Sequence, residues 1–134
     1  MPSEIDRKLY GALYGPTAGD RIRLGDTDLI VEIERDVTSY GDEVLAGCGK
    51  TMQAGMLVQG RNRSDSALDL VISNVVVVDP VLGIFKGNIG VADGRVVGIG
   101  RAGNPDVMDN VDLLVGPHTS LLPGEGLIAT PGGV

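Results

Sequence analysis

The sequence is short of several residue types that functional sites require. Its 134 residues include one cysteine, one histidine, one phenylalanine and no tryptophan. One cysteine cannot form an internal disulfide, and one imidazole with one thiol provides too few ligands for a zinc or similar metal site. We therefore interpret Cys48 as a small buried thiol and His118 as a polar loop residue. They are not expected to act as metal ligands or as a nucleophilic pair, which would also need an orienting group and an oxyanion hole.

Basic charge and long apolar runs are scarce as well. Eleven lysines and arginines stand against 18 aspartates and glutamates, which gives a net charge of −7. This balance argues against nucleic-acid binding, because no basic stripe is available to neutralise phosphates. The longest apolar run, residues 75–78, is far shorter than the roughly 20 residues of a membrane-spanning helix. Residues 1–6 lack the basic and apolar regions of a signal peptide, so we expect a cytoplasmic location and no membrane association.

What the sequence does contain favours a β-rich domain. Glycine (21) and proline (7) are frequent, and 43% of the residues are hydrophobic. With so few aromatic residues, valine, isoleucine and leucine must fill the core, and the β-branched residues among them favour strands. The length suits one domain, but it is too short for a complete (β/α)₈ barrel, which needs at least about 200 residues.

The apolar pattern places one helix before several strands. Residues 3–14 are predicted to form a short helix that Ser3 caps, with Asp6 as a weak capping-box partner. Gly15 and Pro16 end this helix. Its apolar residues recur every four positions on one face. They are Ile5, Leu9 and Leu13.

The remaining elements are predicted from period-two patterns and turn residues. Gly25 and Asp26 join two strands within residues 21–37, and Asp93 with Gly94 suits a type I′ hairpin turn. Residues 39–66 are predicted to be a long ordered loop with a mobile tip near Asn62. The other predicted strands are 68–78, 84–92, 95–99, 113–115 and 127–129, the last two flanking a loop that holds Pro117 and Pro123.

Two glycine motifs are better explained as turns than as nucleotide sites. Residues 98–103 match G-x-G-x-x-G after a probable strand, but residues 104–110 do not form the helix that a dinucleotide fold needs at that point. Residues 49–51 resemble the end of a phosphate-binding loop, yet Val44 occupies the position of its first glycine.

Clustered carboxylates offer no clear catalytic pair. Acid–base catalysis needs two carboxyl groups that the fold places in different environments, and clustering in loops does not show this. We interpret the clusters as a solvated acidic face. They comprise Asp26 with Asp28, Asp42 with Glu43, and Asp106, Asp109 and Asp112. From its residues alone, the chain is a soluble β-rich domain without a self-contained active site.

Several motifs, taken together and in order, resemble one family. Residues 14–29 are similar to the opening signature GPTxGDxxRLxDTxL, residues 40–43 to YGxE, and residues 68–74 to LDLVITN. Residues 89–106 are similar to IGxxDGRxxxIGxAGNPD, and residues 124–134 to GEGxIxTxGG. This series resembles the amino-terminal region of the alpha (catalytic) subunit of urease, a member of the amidohydrolase superfamily.

The resemblance implies a fold and its boundaries. It implies a mainly β, small composite sandwich-like domain of the amidohydrolase type with a short N-terminal helix and without the (β/α)₈ barrel of the parent protein. Residues 1–20 would be the helix and entry segment, 21–66 a hairpin and long loop, and 67–134 the β-rich core. The chain would stop just before the Asp-Thr-His-x-His run of that barrel. We therefore expect no catalytic, cofactor-binding or metal-binding residue among residues 1–134.

The resemblance also implies a function. The chain would be a structural segment of a nickel-dependent urease, in which two nickel ions in the parent enzyme support hydrolysis of urea to ammonia and carbamate. Its partners would be the remainder of the alpha chain and the beta and gamma subunits in a trimer-based assembly, and the isolated segment would be inactive. Two alternatives stay open: a stand-alone, non-catalytic interaction module, and the N-terminal part of another amidohydrolase that acts on cyclic amides.

Overall fold

The computed structural model describes residues 4–41, 43–44 and 67–132. Within them a single helix precedes ten strands, which confirms the predicted mainly β class with one short N-terminal helix. The elements are α1 (Arg7–Tyr14), β1 (Arg21–Arg23), β2 (Ile30–Glu32), β3 (Arg35–Asp36), β4 (Leu70–Asp79), β5 (Gly83–Ala92), β6 (Arg95–Gly100), β7 (Ala102–Gly103), β8 (Leu113–Leu114), β9 (Ser120–Pro123) and β10 (Ile128–Ala129).

Helix α1 begins later than the sequence predicts. Its N-cap is Asp6, whose carboxylate accepts a hydrogen bond from the Leu9 N–H at 3.4 Å. The role predicted for Asp6 as a capping-box partner is thus wrong, because an aspartate at the N-cap itself satisfies a free backbone donor. The predicted cap, Ser3, lies outside the described residues. Gly15 ends the helix as predicted, with a φ of 85° and its N–H bonded to the Gly11 carbonyl.

The predicted apolar face of α1 is largely exposed. The side chains of Ile5, Leu9 and Leu13 are 44%, 51% and 49% exposed. The helix residue that packs inward is Tyr10. The helix therefore covers the sheet with an aromatic ring and leaves an apolar stripe on its outer side.

The main sheet has six strands arranged around a long hairpin. Strands β4 and β5 pair antiparallel at its centre. Beyond β4 lie β9 and β10, both parallel to it. Beyond β5 lie β6, which is antiparallel, and β3, which is parallel. The sheet curls into a half-barrel.

Strand β4 contains a bulge that interrupts its regular pairing with β5. The pairing with β5 shifts between Ile72 and Val75, and Asn74 in the bulge has a φ of 52°. Since the extra residue changes the alternation of side chains, Ile72 and Val75 both pack on one apolar face of the sheet. Its buried cluster consists of Val75, Val77, Phe85 and Ile89. A second apolar cluster comprises Val44, Leu68, Val71, Ala102, Met108, Leu113 and Val115.

Both predicted hairpins are confirmed. Strands β1 and β2 pair antiparallel across a turn that contains Gly25 and Asp26. The turn between β5 and β6 has positive φ angles at Asp93 (51°) and Gly94 (72°). A type I′ turn requires this geometry at both central residues.

Other predictions fail or fall outside the described residues. The loop predicted around Pro117 and Pro123 contains strand β9, which ends at Pro123 and pairs with β4. The sequence missed this strand because a parallel pairing between distant segments leaves no turn signal nearby. Residues 98–100 lie on β6 and residues 102–103 form β7, and no helix follows them in the described residues up to 132. Most of the predicted loop at 39–66, including Asn62, lies outside the described ranges.

Candidate functional site

The most distinctive site is built around a lysine buried beneath α1. Strand β5 places Lys86 on the face opposite Phe85, and its side chain is 0% exposed. The Nζ atom lies 3.6 Å from Oδ2 of Asp36 and 4.8 Å from the centre of the Tyr10 ring. A buried ammonium needs such partners, because transfer of an unpaired charge out of water is very costly.

Opposing effects act on the charge of Lys86. Burial lowers the pKa of this lysine, while the carboxylates of Asp36, Glu43 and Glu125 oppose the shift. The net direction is downward. Three carboxylates therefore favour the charged form of Lys86, and only that of Asp36 forms an ion pair with it among the described residues.

Hydrogen bonds extend from the lysine in two directions. The Thr17 hydroxyl donates to Oδ2 of Asp36 at 2.7 Å and lies 2.8 Å from the Tyr40 hydroxyl. On the other side, Lys86 Nζ donates to the Tyr10 hydroxyl at 3.5 Å, and that hydroxyl donates to Oε1 of Glu43 at 2.8 Å. The two chains of contacts tie α1, β3 and β5 together.

The hydroxyl of Tyr10 is held in its neutral form. Burial raises the pKa of Tyr10, and the hydrogen bond to Glu43 raises it further. The tyrosine therefore stays a hydrogen-bond donor toward Glu43 over the physiological pH range.

An open cavity of about 650 Å³ lies above this cluster. All three tyrosines of the sequence line it. The Tyr10 ring centre is 4.9 Å from that of Tyr14 and 5.4 Å from that of Tyr40. Glu43 lines the same cavity, so an aromatic wall and a carboxylate face one space.

A surface ion pair holds one side of the cavity. Arg7, which also lines it, lies 2.7 Å from Oδ1 of Asp20, and the other oxygen of Asp20 accepts the Thr17 N–H at 2.8 Å. Burial raises the pKa of Asp20, but the bonds from Thr17 and Arg7 outweigh it, and the net direction is downward. The charge of Arg7 is therefore paired with that of Asp20.

A second polar group fixes the bulge of β4. The Asn74 N–H donates to Oδ1 of Asn88 at 2.9 Å. The side-chain amide of Asn74 donates to the Val44 carbonyl at 2.8 Å and to Oε1 of Glu125 at 2.9 Å. These contacts satisfy the backbone at a position where the left-handed conformation suits asparagine better than most residues.

The residues that the sequence singled out are mostly outside this site. His118 is exposed, with Nε2 4.0 Å from Oδ1 of Asp69, and Cys48 and Asp42 lie outside the described residues. Among the described members of the acidic clusters, only Glu43 lines the cavity. Sequence reasoning missed Lys86 and Asp36, although a lysine in the middle of an apolar strand is a signal for a buried charge.

The described residues do not fit the nickel site that the resemblance implies for the parent protein. In the ranges 4–41, 43–44 and 67–132, no group of three or more histidine, cysteine, aspartate or glutamate side chains is placed to hold a metal ion. His118 with Asp69 is one imidazole beside one carboxylate, which is too few ligands for a transition metal.

Comparison with known proteins decides the family. The sequence matches the family model described as urease alpha-subunit, N-terminal domain, over residues 3–122. The chain belongs to this family. The urease family signature also has a place in the fold: its residues Tyr14 and Thr17 line the cavity, and its Asp20 binds Arg7.

Curated relatives agree with the family. Urease subunit alpha of Natronomonas pharaonis is 61% identical over the whole chain, and that of Haloquadratum walsbyi is 55% identical over the whole chain. Urease subunit alpha of Sulfurisphaera tokodaii is 51% identical over 96% of the chain. The chain spans only 24% of the length of the first two relatives and 23% of the third. In the described residues, no helix has both the length and the apolar character needed to cross a membrane.

Proposed function

We propose that the chain is the N-terminal structural segment of the alpha subunit of a nickel-dependent urease. The match of residues 3–122 to the N-terminal domain of urease alpha subunits carries this proposal. The chain forms one β domain over residues 1–134, with the boundaries that the motifs imply. The metal-binding barrel belongs to the remaining three quarters of such a protein, in line with the 24% of the relatives' length that this chain spans.

The parent reaction is the hydrolysis of urea to ammonia and carbamate. Two nickel ions support this chemistry in the parent enzyme, and none of their ligands comes from residues 1–134. The role of this segment is to scaffold the alpha subunit and to contact its partners, and the segment alone is inactive. The exposed position of His118, the only histidine, supports the absence of a ligand here.

The partners in this proposal are the remainder of the alpha chain and the beta and gamma subunits, in a trimer-based assembly. The relatives are named as subunits, which supports a multi-subunit enzyme. The exposed stripe of Ile5, Leu9 and Leu13 supports a further contact surface, because large apolar patches often mark interfaces. We also place the protein in the cytoplasm, and the single cysteine fits a compartment without disulfide formation.

The test is an assay of the alpha subunit that contains this chain, assembled with its beta and gamma subunits. We expect ammonia release from urea and two nickel ions per alpha subunit. The variant His118→Ala should retain both its nickel and its activity, because the ligands lie elsewhere. Loss of nickel in His118→Ala would place a ligand in this segment. Turnover of cyclic amides instead of urea would identify a different amidohydrolase, and an assembly that turns over neither would favour a non-catalytic interaction module.

A further inference from the structure

The cavity lined by the three tyrosines has a geometry suited to a cation. The rings of Tyr10 and Tyr14 are tilted by 41°, and those of Tyr10 and Tyr40 meet edge to face at 81°. Tyr40 as a residue is 63% exposed, yet its hydroxyl lies 2.8 Å from that of Thr17. Tyrosine rings attract a cation placed over their faces, and rings that are already held in position lose little freedom when they bind one.

The charges around the cavity leave an excess of negative charge. Lys86 is paired with Asp36 and lies behind the Tyr10 ring, and Arg7 is paired with Asp20. Glu43 makes no ion pair with a lysine or arginine in the part of the chain that the structure describes. A carboxylate that is half-buried beside aromatic rings favours a cationic partner, because the local dielectric is lower than that of water.

Both oxygens of the Glu43 carboxylate are held by hydrogen bonds within the chain. Its Oε1 accepts from the Tyr10 hydroxyl at 2.8 Å, and its Oε2 accepts from the Gly41 N–H at 2.9 Å. Each carboxylate oxygen has a second lone pair, so both can still accept one further bond. The planar guanidinium of arginine donates two parallel bonds to a carboxylate, which the point charge of lysine does not.

The surroundings of the cavity fit a polypeptide. Ile5 lines the cavity and belongs to the exposed apolar stripe that continues along α1 with Leu9 and Leu13. Buried arginine and tyrosine contacts ringed by apolar groups are typical of the strongest points of protein interfaces. The net charge of −7 adds a long-range attraction for a basic partner surface.

We propose that this cavity receives an arginine side chain from a partner polypeptide of the assembled enzyme. The guanidinium lies against the tyrosine rings and binds the carboxylate of Glu43, while apolar side chains next to that arginine contact the stripe. The partner's identity rests on the proposed function, because the partner is one of the other polypeptides of the urease assembly. The recognition of an arginine by the tyrosine rings and Glu43 is inferred from the cavity and does not depend on the proposed function.

The first test measures the stability of the assembly when Glu43 is changed. Glu43→Gln keeps the shape of the side chain and removes its charge. We expect the dissociation constant of the assembly, measured by sedimentation velocity, to rise about tenfold or more, with a weaker dependence on salt. Glu32→Gln is the matched control, since Glu32 is an exposed carboxylate on β2, and it should dissociate like the wild type. Equal dissociation constants for Glu43→Gln and the wild type would overturn the proposal.

A second pair of variants distinguishes loss of the binding site from a general folding defect. The structure gives the Tyr14 hydroxyl no hydrogen-bond partner among the described residues, so Tyr14→Phe should bind the partner as the wild type does. Tyr14→Leu removes the ring but keeps an apolar side chain, and it should weaken the association several-fold. Equal binding by the leucine and phenylalanine variants would contradict a cation held by the rings.

A structure of the whole assembly provides the decisive observation. We expect the guanidinium of a partner arginine within about 6 Å of a tyrosine ring centre. The proposal would be refuted if the cavity held water, an apolar side chain or another segment of the alpha subunit itself. If an arginine occupies the cavity but the wild-type assembly does not hydrolyse urea, the proposed function fails and this inference stands. If urea is hydrolysed but the cavity holds no arginine, the inference alone fails.

Discussion

The Nζ atom of Lys86 lies 3.6 Å from Oδ2 of Asp36, and the two side chains are 0% and 4% exposed. This ion pair joins the short strand β3 to the central strand β5. The effect of this pair on stability depends on whether one partner or both partners are replaced. Removal of one partner leaves an uncompensated buried charge, whereas replacement of both by apolar residues is often tolerated.

The first prediction concerns Asp36. Asp36→Asn keeps the shape of the side chain but leaves the charge of Lys86 without its main partner. We expect the free energy of unfolding to fall by about 3–5 kcal/mol, measured by guanidinium chloride denaturation. Adding Lys86→Met to Asp36→Asn should recover much of this loss.

Asp28→Asn is the matched control for this prediction. Asp28 is fully exposed in the turn between β1 and β2, and its charge interacts only weakly with Arg23 at 3.9 Å. Its replacement should leave the stability nearly unchanged, since exposed ion pairs contribute little. If Asp36→Asn proved as stable as Asp28→Asn, the buried pair would have no role in the fold.

The second prediction is a pH dependence caused by Lys86. Its pKa in the folded chain is lowered from the usual 10.5, so the unfolded chain binds this proton more readily. The contribution of Lys86 to stability therefore increases as pH rises from the lowered pKa toward 10.5. Thermal unfolding at a series of pH values should show this increase in the wild type and not in Lys86→Met.

The pH series should stop below pH 10. Above that value the raised pKa of Tyr10 acts in the opposite direction, because the unfolded tyrosine loses its proton while the folded one keeps it. Parallel pH curves for the wild type and Lys86→Met below pH 10 would argue against a lowered pKa for Lys86.

The third prediction concerns a close approach of backbones at Gly124. A Cβ atom there would lie 2.4 Å from the Ser73 carbonyl oxygen and 2.8 Å from Cβ of Val75. Gly124 also donates its N–H to the Ser73 carbonyl at 2.7 Å, so the two segments cannot separate without losing that bond. We expect Gly124→Ala to lower the free energy of unfolding by about 1–3 kcal/mol or more, measured by chemical denaturation.

Gly132 provides the comparison for Gly124. A Cβ atom at Gly132 would meet nothing within 4 Å, so Gly132→Ala should have nearly the stability of the wild type. A tolerated Gly124→Ala would mean that the segment around Gly124 can move away from β4.

The features that could be predicted from the sequence are those with local causes. Asp93 and Gly94 signal their turn through their own backbone preferences, and the strands on either side follow from alternation. Strand β9 could not be predicted, because it pairs with β4 in parallel across a long stretch of chain. Lys86 posed the same problem: its burial depends on Tyr10, 76 positions away.

Single residues of the candidate site could be predicted, but their arrangement could not, because it depends on contacts between distant parts of the chain. The resemblance to the family marked Tyr14, Thr17, Tyr40 and Glu43 as motif residues, but the motifs did not show that they share one cavity. That arrangement depends on where α1 packs, and the apolar residues predicted to share one face of the helix do not indicate it. The stripe is instead exposed, and Tyr10 provides the buried contact.

The last prediction concerns Gly11, in the middle of α1. Glycine in a helix interior costs about 1 kcal/mol relative to alanine, because its backbone has more freedom to lose. A Cβ atom at Gly11 would meet nothing within 4 Å, and its φ is not in the left-handed region. We therefore expect Gly11→Ala to raise the free energy of unfolding by about 0.5–1 kcal/mol, measured by chemical denaturation. Gly25→Ala serves as the contrast, because Gly25 has equal space but a φ of 56°, and its replacement should destabilise the protein. A loss of stability in Gly11→Ala would show that α1 does not hold its helical form when the chain folds.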